Sequence, residues 1–172
     1  MSVAVSRSTA PADTGADQQP CRLARSVDER AQHFAVRHEV FVVEQGIFHP
    51  DDHDGYDEDP QTLHAIGGAG GVVGGAVRLY RLPDETWKGD RLAVLPAYRH
   101  GLLGASLVRF AVATAGARGG ARMVAMIQLA NVPFFQSLGW SETGPVTAYH
   151  GVAHQPMAIP LRSPRGVKRR AR

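Results

Sequence analysis

A single cysteine, Cys21, is all the thiol in this chain, which excludes an intramolecular disulfide framework and fits a reducing compartment. A lone cysteine is most often a small buried apolar residue. No apolar run approaches the ~20 residues of a membrane-spanning helix, and the first residues lack the apolar core of a signal peptide. A cytoplasmic protein without a membrane partner is expected. Strong charge of one sign is missing too: the formal net charge is +3. The basic excess sits in Arg162, Arg165, Lys168, Arg169, Arg170 and Arg172, and a terminal run of like charge is ordinarily solvated, so no nucleic-acid partner is expected. Internal repeats, a Walker A Gly-Lys-Ser/Thr and a G-x-G-x-x-G dinucleotide turn are all absent.

What is present fits one domain, because 172 residues with 44% apolar content can bury one sizeable core. Residues 1–20 carry almost no large apolar side chains and read as a disordered leader. Residues 163–172 read as a basic disordered tail, leaving 21–162 as the domain. A short strand is expected from Cys21 to Ala24. Ser26 and Glu29 form a capping box, opening a helix with Ala31, Phe34, Ala35, His38 and Val42 on one face and a stop at Gly46. Thr62–Gly67 and Val72–Arg81 read as two strands joined by a Gly-rich turn. Met123–Gln128 reads as a buried strand, Asn131 to Leu138 as a short helix, and Trp140–His150 and Ala153–Leu161 as the last two strands.

Between the first helix and these strands, Phe48 to Pro60 is rich in Asp, with His49 and His53. Calcium-loop spacing fails, since the position five before Gly55 is Pro50, and His49, His53 and His64 have no standard zinc spacing. No metal is expected. A solvated acidic loop and an acidic wall that draws in a cationic amine both stay open.

The chain is organised around Arg91 to Leu107, RLAVLPAYRHGLLGASL. An apolar strand closes at Pro96, a turn follows with Arg99, His100 and Gly101, and a helix begins near Gly104, with Leu103, Leu107, Phe110, Ala111 and Thr114 on one face. The first turn of a helix leaves N–H groups unpaired at the positive end of the macrodipole, which makes it an anion site. Glycine lets a phosphate approach the backbone, and arginine adds directed donors. The minimal reading is a pyrophosphate cradle.

This stretch resembles the acetyl-CoA signature of the GNAT acetyltransferase superfamily. Val94-Leu95-Pro96 matches the strand end, Arg99 the first position of the Arg/Gln-x-x-Gly-x-Gly/Ala turn and Gly104 the last. Leu102 stands where the middle glycine is usual, with Gly101 one residue early. Asn131 to Trp140, NVPFFQSLGW, resembles the family's helix beside pantetheine and thiol. Arg37 to Gln45, RHEVFVVEQ, and His150 to Met157, HGVAHQPM, resemble the branch of ElaA-like proteins and acyl-homoserine lactone synthases. The resemblance implies an α/β (α+β) fold: a mixed, mostly antiparallel sheet of six to seven strands with a V-shaped splay, flanked by helices. It also implies acetyl-CoA as cosubstrate, bound by Leu92, Ala93 and Val94, by the cradle Arg99, His100, Gly101, Leu102, Leu103, Gly104 and Ala105, and by Asn131, Phe134 and Phe135. A homodimer is common among similar proteins.

The implied activity is N-acetyl transfer to a small-molecule amine by direct reaction in a ternary complex. Phe135 occupies the position of the family's usual tyrosine acid, so the proton for the leaving thiolate falls to Tyr149, His150, Tyr98 or solvent. Glu44 and His64 are candidate bases; Glu44 would need its pKa raised by burial. His150 and His154 line the pocket floor or brace the last hairpin. The alternative is a CoA-thioester-binding module without catalysis that partners a biosynthetic enzyme.

Overall fold

Ser26 caps the first helix as its spacing predicts: its hydroxyl accepts from Glu29 N at 3.0 Å while the Glu29 carboxylate accepts from Arg25 N at 2.8 Å and Ser26 N at 3.4 Å. The computed structural model describes residues 18–162, so most of the expected leader and all of the expected tail lie outside the described residues. Helix α1 spans Val27–Arg37 and widens into a π-helical turn over His38–Glu44. Three β-branched valines, Val40, Val42 and Val43, with Phe41 among them, crowd that turn, and Gly46 at φ 61° ends it. Within the acidic loop, α2 is a single turn, Gly55–Glu58.

Eight strands form one sheet: β1 Gln18–Leu23, β2 Leu63–Ala69, β3 Val72–Arg81, β4 Thr86–Val94, β5 Arg122–Gln128, β6 Ser141–Glu142, β7 Thr147–Tyr149 and β8 Val152–Pro160. The order is β1-β2-β3-β4-β5-β8-β6, with β7 also on β8. The expected six or seven become eight because Gly144-Pro145 breaks the predicted Trp140–His150 strand into β6 and β7. β1 starts at Gln18 rather than Cys21, since an edge strand is held by its backbone pairing to Gly68 and Ala69, not by apolar side chains. β4 starts at Thr86 and takes in Trp87, which the sequence left in a loop.

Helix α3, Leu103–Ala117, covers one face of the sheet. Its buried stripe is Leu107, Val108, Ala111 and Ala115, packed on Val77, Leu79, Trp87 and Met123; Phe110 and Thr114, predicted on this face, are only half-buried flanks. On the other face α1 and its π turn set Val36, Val40 and Phe41 against Ile66, Ala76 and Ala93. Each large apolar side chain so buried contributes roughly 1.5–3 kcal/mol. The short α4, Val132–Ser137, leads into the last strands. No helix among the described residues is long and apolar enough to cross a membrane.

The functional consequence lies between β4 and β5. Among the described residues they are the one parallel pair, joined only from Thr86↔Arg122 to Lys88↔Val124. β5 then follows β8 to its end, at Gln128↔His154, while β4 stays on β3 to Gly75↔Val94. Midway β4 carries an extra residue, with Arg91 at φ 52°, a bulge that increases the local twist. From Gly89 onward one edge of β4 faces no strand, and the sheet opens as a V.

Candidate active site

The V encloses a cleft of about 130 Å³. Its floor is Leu92, Val108, Ala125, Ile127, Phe135 and Trp140; Gln45, Gln128 and Asn131 stand at the mouth, Lys88, Asp90 and Arg91 at the apex, and Tyr149, His150 and His154 reach the cleft from the last hairpin. Phe135 meets Trp140 edge-on, with centroids 5.4 Å apart, so the position of the family's tyrosine is an apolar wall.

At the mouth, a 3-10 turn over Pro96–Tyr98 feeds Arg99 to Leu102 into α3. Leu102 caps α3 without any side-chain hydrogen bond, and Ser106 N is the first amide to find a helical acceptor, Leu102 O at 2.9 Å. The amides of Leu103, Gly104 and Ala105 therefore project as free donors. Leu102 is 73% exposed and does not fill the turn. A side chain added at Gly104 would point toward Phe134 and Val94, both 3.7 Å away.

Arg99 and Glu44, expected as cradle and base, are joined to each other. Arg99 Nη1 and Nη2 donate to the two Glu44 oxygens at 2.7 Å each, and Nε donates to Val94 O at 2.8 Å. The Arg99 hydrogen bonds hold the Glu44 carboxyl below the usual range, opposite to what a base requires, and Glu44 raises the Arg99 pKa. One residue on, Gln45 Oε1 accepts from Gln128 Nε2 at 3.0 Å. The end of the π turn is thereby tied to both arms of the V. Glu44 itself is at the mouth and does not line the cleft.

His64 is not in the cleft either. It lies beneath α1, 4% exposed, with Nδ1 3.3 Å from His33 Nε2, and burial followed by the Arg30 charge lowers its pKa to about 4. Tyr98 packs over Gly74, where a Cβ would sit 2.6 Å from the ring, and also stays outside.

Three residues of the last hairpin do enter. His150 and Gly151, at φ 49° and 73°, make the two-residue turn between β7 and β8. The Tyr149 ring is edge-on to His154 at 5.3 Å and lies 5.4 Å from Lys88 Nζ. His154 Nδ1 is 2.7 Å from Val152 O, and a carbonyl only accepts, so Nδ1 carries a proton and Nε2 is the ring nitrogen left to accept one. The His150 ring meets Phe48 at 4.5 Å, roofing the apex, and its pKa is lowered by burial and by Arg91.

Sequence reasoning missed the frame that holds this roof. Most of the acidic loop is solvated, as expected, but two of its carboxylates turn inward: Asp52 and Asp57 are each 2% exposed. Arg37 Nε donates to Asp52 at 2.7 Å, and its Nη1 and Nη2 to Asp57 at 2.7 and 3.0 Å. Arg78 donates to Asp90 at 2.7 Å twice and to Asp54 at 2.6 and 2.9 Å. Arg91, at the bulge, reaches Asp52 O at 3.2 Å and stacks on Phe48 at 4.4 Å. Burial alone would raise the Asp57 pKa, but hydrogen bonds from Arg37 hold it far below the usual range. The available signal was Arg78, a charged residue in the middle of the apolar strand VVGGAVRLYR. No group of three or more metal-type side chains converges among the described residues.

Comparison with known proteins bears on the fold that holds this site. The structure superposes on Escherichia coli ElaA with a TM-score of 0.73 at 24% identity, covering 82% of this chain and 98% of that one. An acyl-CoA N-acyltransferase from Pseudomonas aeruginosa gives 0.72 at 21%, covering 82% and 98%. The CoA-dependent acyl-homoserine lactone synthase BjaI, solved with SAM and isopentyl-CoA, gives 0.69 at 21%, covering 85% and 84%. These likenesses establish the fold. Residues 56–142, from the acidic loop through the splayed strands and the cradle to β6, match the acetyltransferase (GNAT) domain family. That match takes in just over half of the chain, and the chain belongs to the GNAT acetyltransferase family.

Proposed function

We propose that this protein transfers the acetyl group of acetyl-CoA to a small-molecule amine within a ternary complex. The observation that carries the reading is the cleft between the splayed strands, with the unpaired amides of the α3 N-terminus at its mouth and His154 on its lining. Arg99 and the amides of Leu103, Gly104 and Ala105 would hold the pyrophosphate. The free edge of Leu92, Ala93 and Val94 would pair with pantetheine, and Asn131, Phe134 and Phe135 would flank it. Bound there, acetyl-CoA supplies an activated acyl carbonyl.

The chain's own part is to orient the amine, accept its proton and protect the reaction from water. Among residues in reach, His154 is the base the geometry favours over Glu44, which is salt-bridged at the mouth, and His64, which is sealed under α1. Tyr149, on the same cleft wall, is the donor for the leaving thiolate. Direct transfer is favoured because Cys21, the one thiol, does not line the cleft.

Calorimetric titration with acetyl-CoA tests the donor half. Micromolar binding is expected, weakened by about tenfold or more in Arg99→Ala, since a guanidinium–phosphate pair is a charge-assisted contact. Glu44→Gln should tighten binding several-fold, because it removes the carboxylate that competes with phosphate for Arg99. No binding of acetyl-CoA or CoA would sink the reading. His154→Ala should lower kcat by about 10²-fold with acetyl-CoA affinity unchanged; equal turnover would remove it as the base. Phe135 favours a second reading, a CoA-thioester-binding module, which tight binding without turnover across an amine screen would select.

A further inference from the structure

At the apex of the cleft one cation, Lys88, makes no direct pair with a carboxylate among the described residues. Asp90 is matched by Arg78 through two 2.7 Å contacts. Arg91 is matched by Asp52 at 3.2 Å and Asp54 at 3.3 Å. The cluster's spare acceptor, Asp52 Oδ1, is buried and Asp52 does not line the cleft. Lys88, half-buried on the cleft wall, makes no ion pair and no hydrogen bond among the described residues; its recorded contact is with the face of the Tyr149 ring. The Tyr149 hydroxyl is likewise without a partner among the described residues. Lys88 is also close enough to lower the pKa of His150, so its charge is felt across the apex.

An unmatched ammonium in a half-buried cleft opposes a second cation and favours an anion. Lys88 Nζ and the His154 ring both neighbour the Tyr149 ring, at 5.4 and 5.3 Å from its centre. We propose that the acceptor is an amino acid, a compound with a carboxylate beside its amine: Lys88 takes the carboxylate and His154 faces the amine, leaving the Tyr149 O–H for the thiolate. This rests on the acyl-transfer reading above and names the substrate class of the same site. It separates amino acids from di- and polyamines, whose extra cation Lys88 would repel.

The step balances without an added reagent. The bound ammonium gives one proton to His154 and on to solvent. Its nitrogen lone pair then forms the C–N bond as the C–S bond breaks, the sulfur leaving with the electron pair. The second proton lost by nitrogen balances the one that Tyr149 delivers to sulfur, leaving an N-acetyl amino acid and CoA thiol.

The test uses matched acceptors with acetyl-CoA: L-leucine with 3-methylbutylamine, L-phenylalanine with phenethylamine, L-methionine with 3-methylthiopropylamine, and L-lysine with cadaverine. CoA release gives rates, and calorimetry gives the binding of N-acetyl products to the CoA complex. At least one amino acid should exceed its decarboxylated partner by about tenfold or more in kcat/KM. Lys88→Met should remove that preference by raising KM, and weaken the N-acetyl amino acid by a similar factor, with acetyl-CoA affinity unchanged. Lys88→Arg should keep most of it. Equal or faster reaction of the bare amines, an unchanged preference in Lys88→Met, or acetylation of no member by a protein that binds acetyl-CoA would each overturn the proposal. A protein that binds no acetyl-CoA fails earlier, at the acyl-transfer reading itself.

Discussion

Replacing Arg37 with methionine is expected to remove about 3–5 kcal/mol of unfolding free energy, a fall of roughly 6–20 °C in Tm for a chain of this size. The side chain is 0% exposed and serves both Asp52 and Asp57. Without it, Asp52 keeps Arg91 at 3.2 Å and Asp57 keeps Arg78 at 2.9 Å, but each loses its 2.7 Å contact in a site closed to water. The uncompensated carboxylate is the penalty, more than the lost attraction. Removing charge from the other side should therefore give some stability back: Arg37→Met with Asp57→Asn should be less destabilised than the sum of the two single changes. Urea unfolding of the four proteins measures this. A single change worth under about 1 kcal/mol, the scale of a solvent-exposed pair, would mean that the cluster is loosely formed. The loss would also reach function, because Asp52 ties the loop to Arg91 and Phe48 roofs the apex through Arg91 and His150.

The same cluster shows where sequence reading stops. The strand, turn and helix behind the expected cradle were legible because the parts are local: strand end, Pro96, Arg99, Gly104 and the helix N-terminus fall within one short stretch. The Ser26–Glu29 box was legible for the same reason. Arg37–Asp57 and Arg99–Glu44 are pairings of residues distant in the chain, and nothing in residue type selects one carboxylate over the many in Phe48 to Pro60. A role assigned to Glu44 from its place at a helix end thus missed the arginine that occupies it. The bulge was illegible as well, since Arg91 holds φ 52° without a glycine to announce it. In the HGVAHQPM stretch the turn was half legible: Gly151 suits the second position, while His150 at the first is an unusual choice. The tautomer of His154 depends on Val152 O, two residues away but aligned only once the hairpin has formed.

Acid should unfold the protein well before its carboxylates titrate. His33 Nδ1 donates to Ala65 O at 3.1 Å, so its Nε2 accepts, and it faces His64 Nδ1 at 3.3 Å and Arg37 Nη1 at 3.5 Å. A proton on that nitrogen would turn it toward two donors. Burial, then the His64 and Arg37 charges, lower the His33 pKa to about 3; burial, then Arg30, lower His64 to about 4, with Asp57 opposing in both cases. Both folded values lie below the ordinary 6.5, so the unfolded chain takes up protons first. The stability held by the neutral pair is complete above pH ~6.5 and is lost as pH falls toward 4. Two such protons give a slope of up to about 2.7 kcal/mol per pH unit, and roughly 4 kcal/mol by pH 5, most of the margin of many domains. Asp54 and Asp57, lowered by their arginines, act in the same direction only below the normal carboxylate range. Urea unfolding from pH 7.5 to 4.5 should show this slope, and His64→Gln should reduce it by about one proton. A flat profile would mean that water reaches the pair, and that α1 does not seal this face of the sheet. His64, the higher of the two at about 4, takes up the first proton in the folded chain and His33, 3.5 Å from Arg37, the second, so the clamp on the acidic loop is reached last.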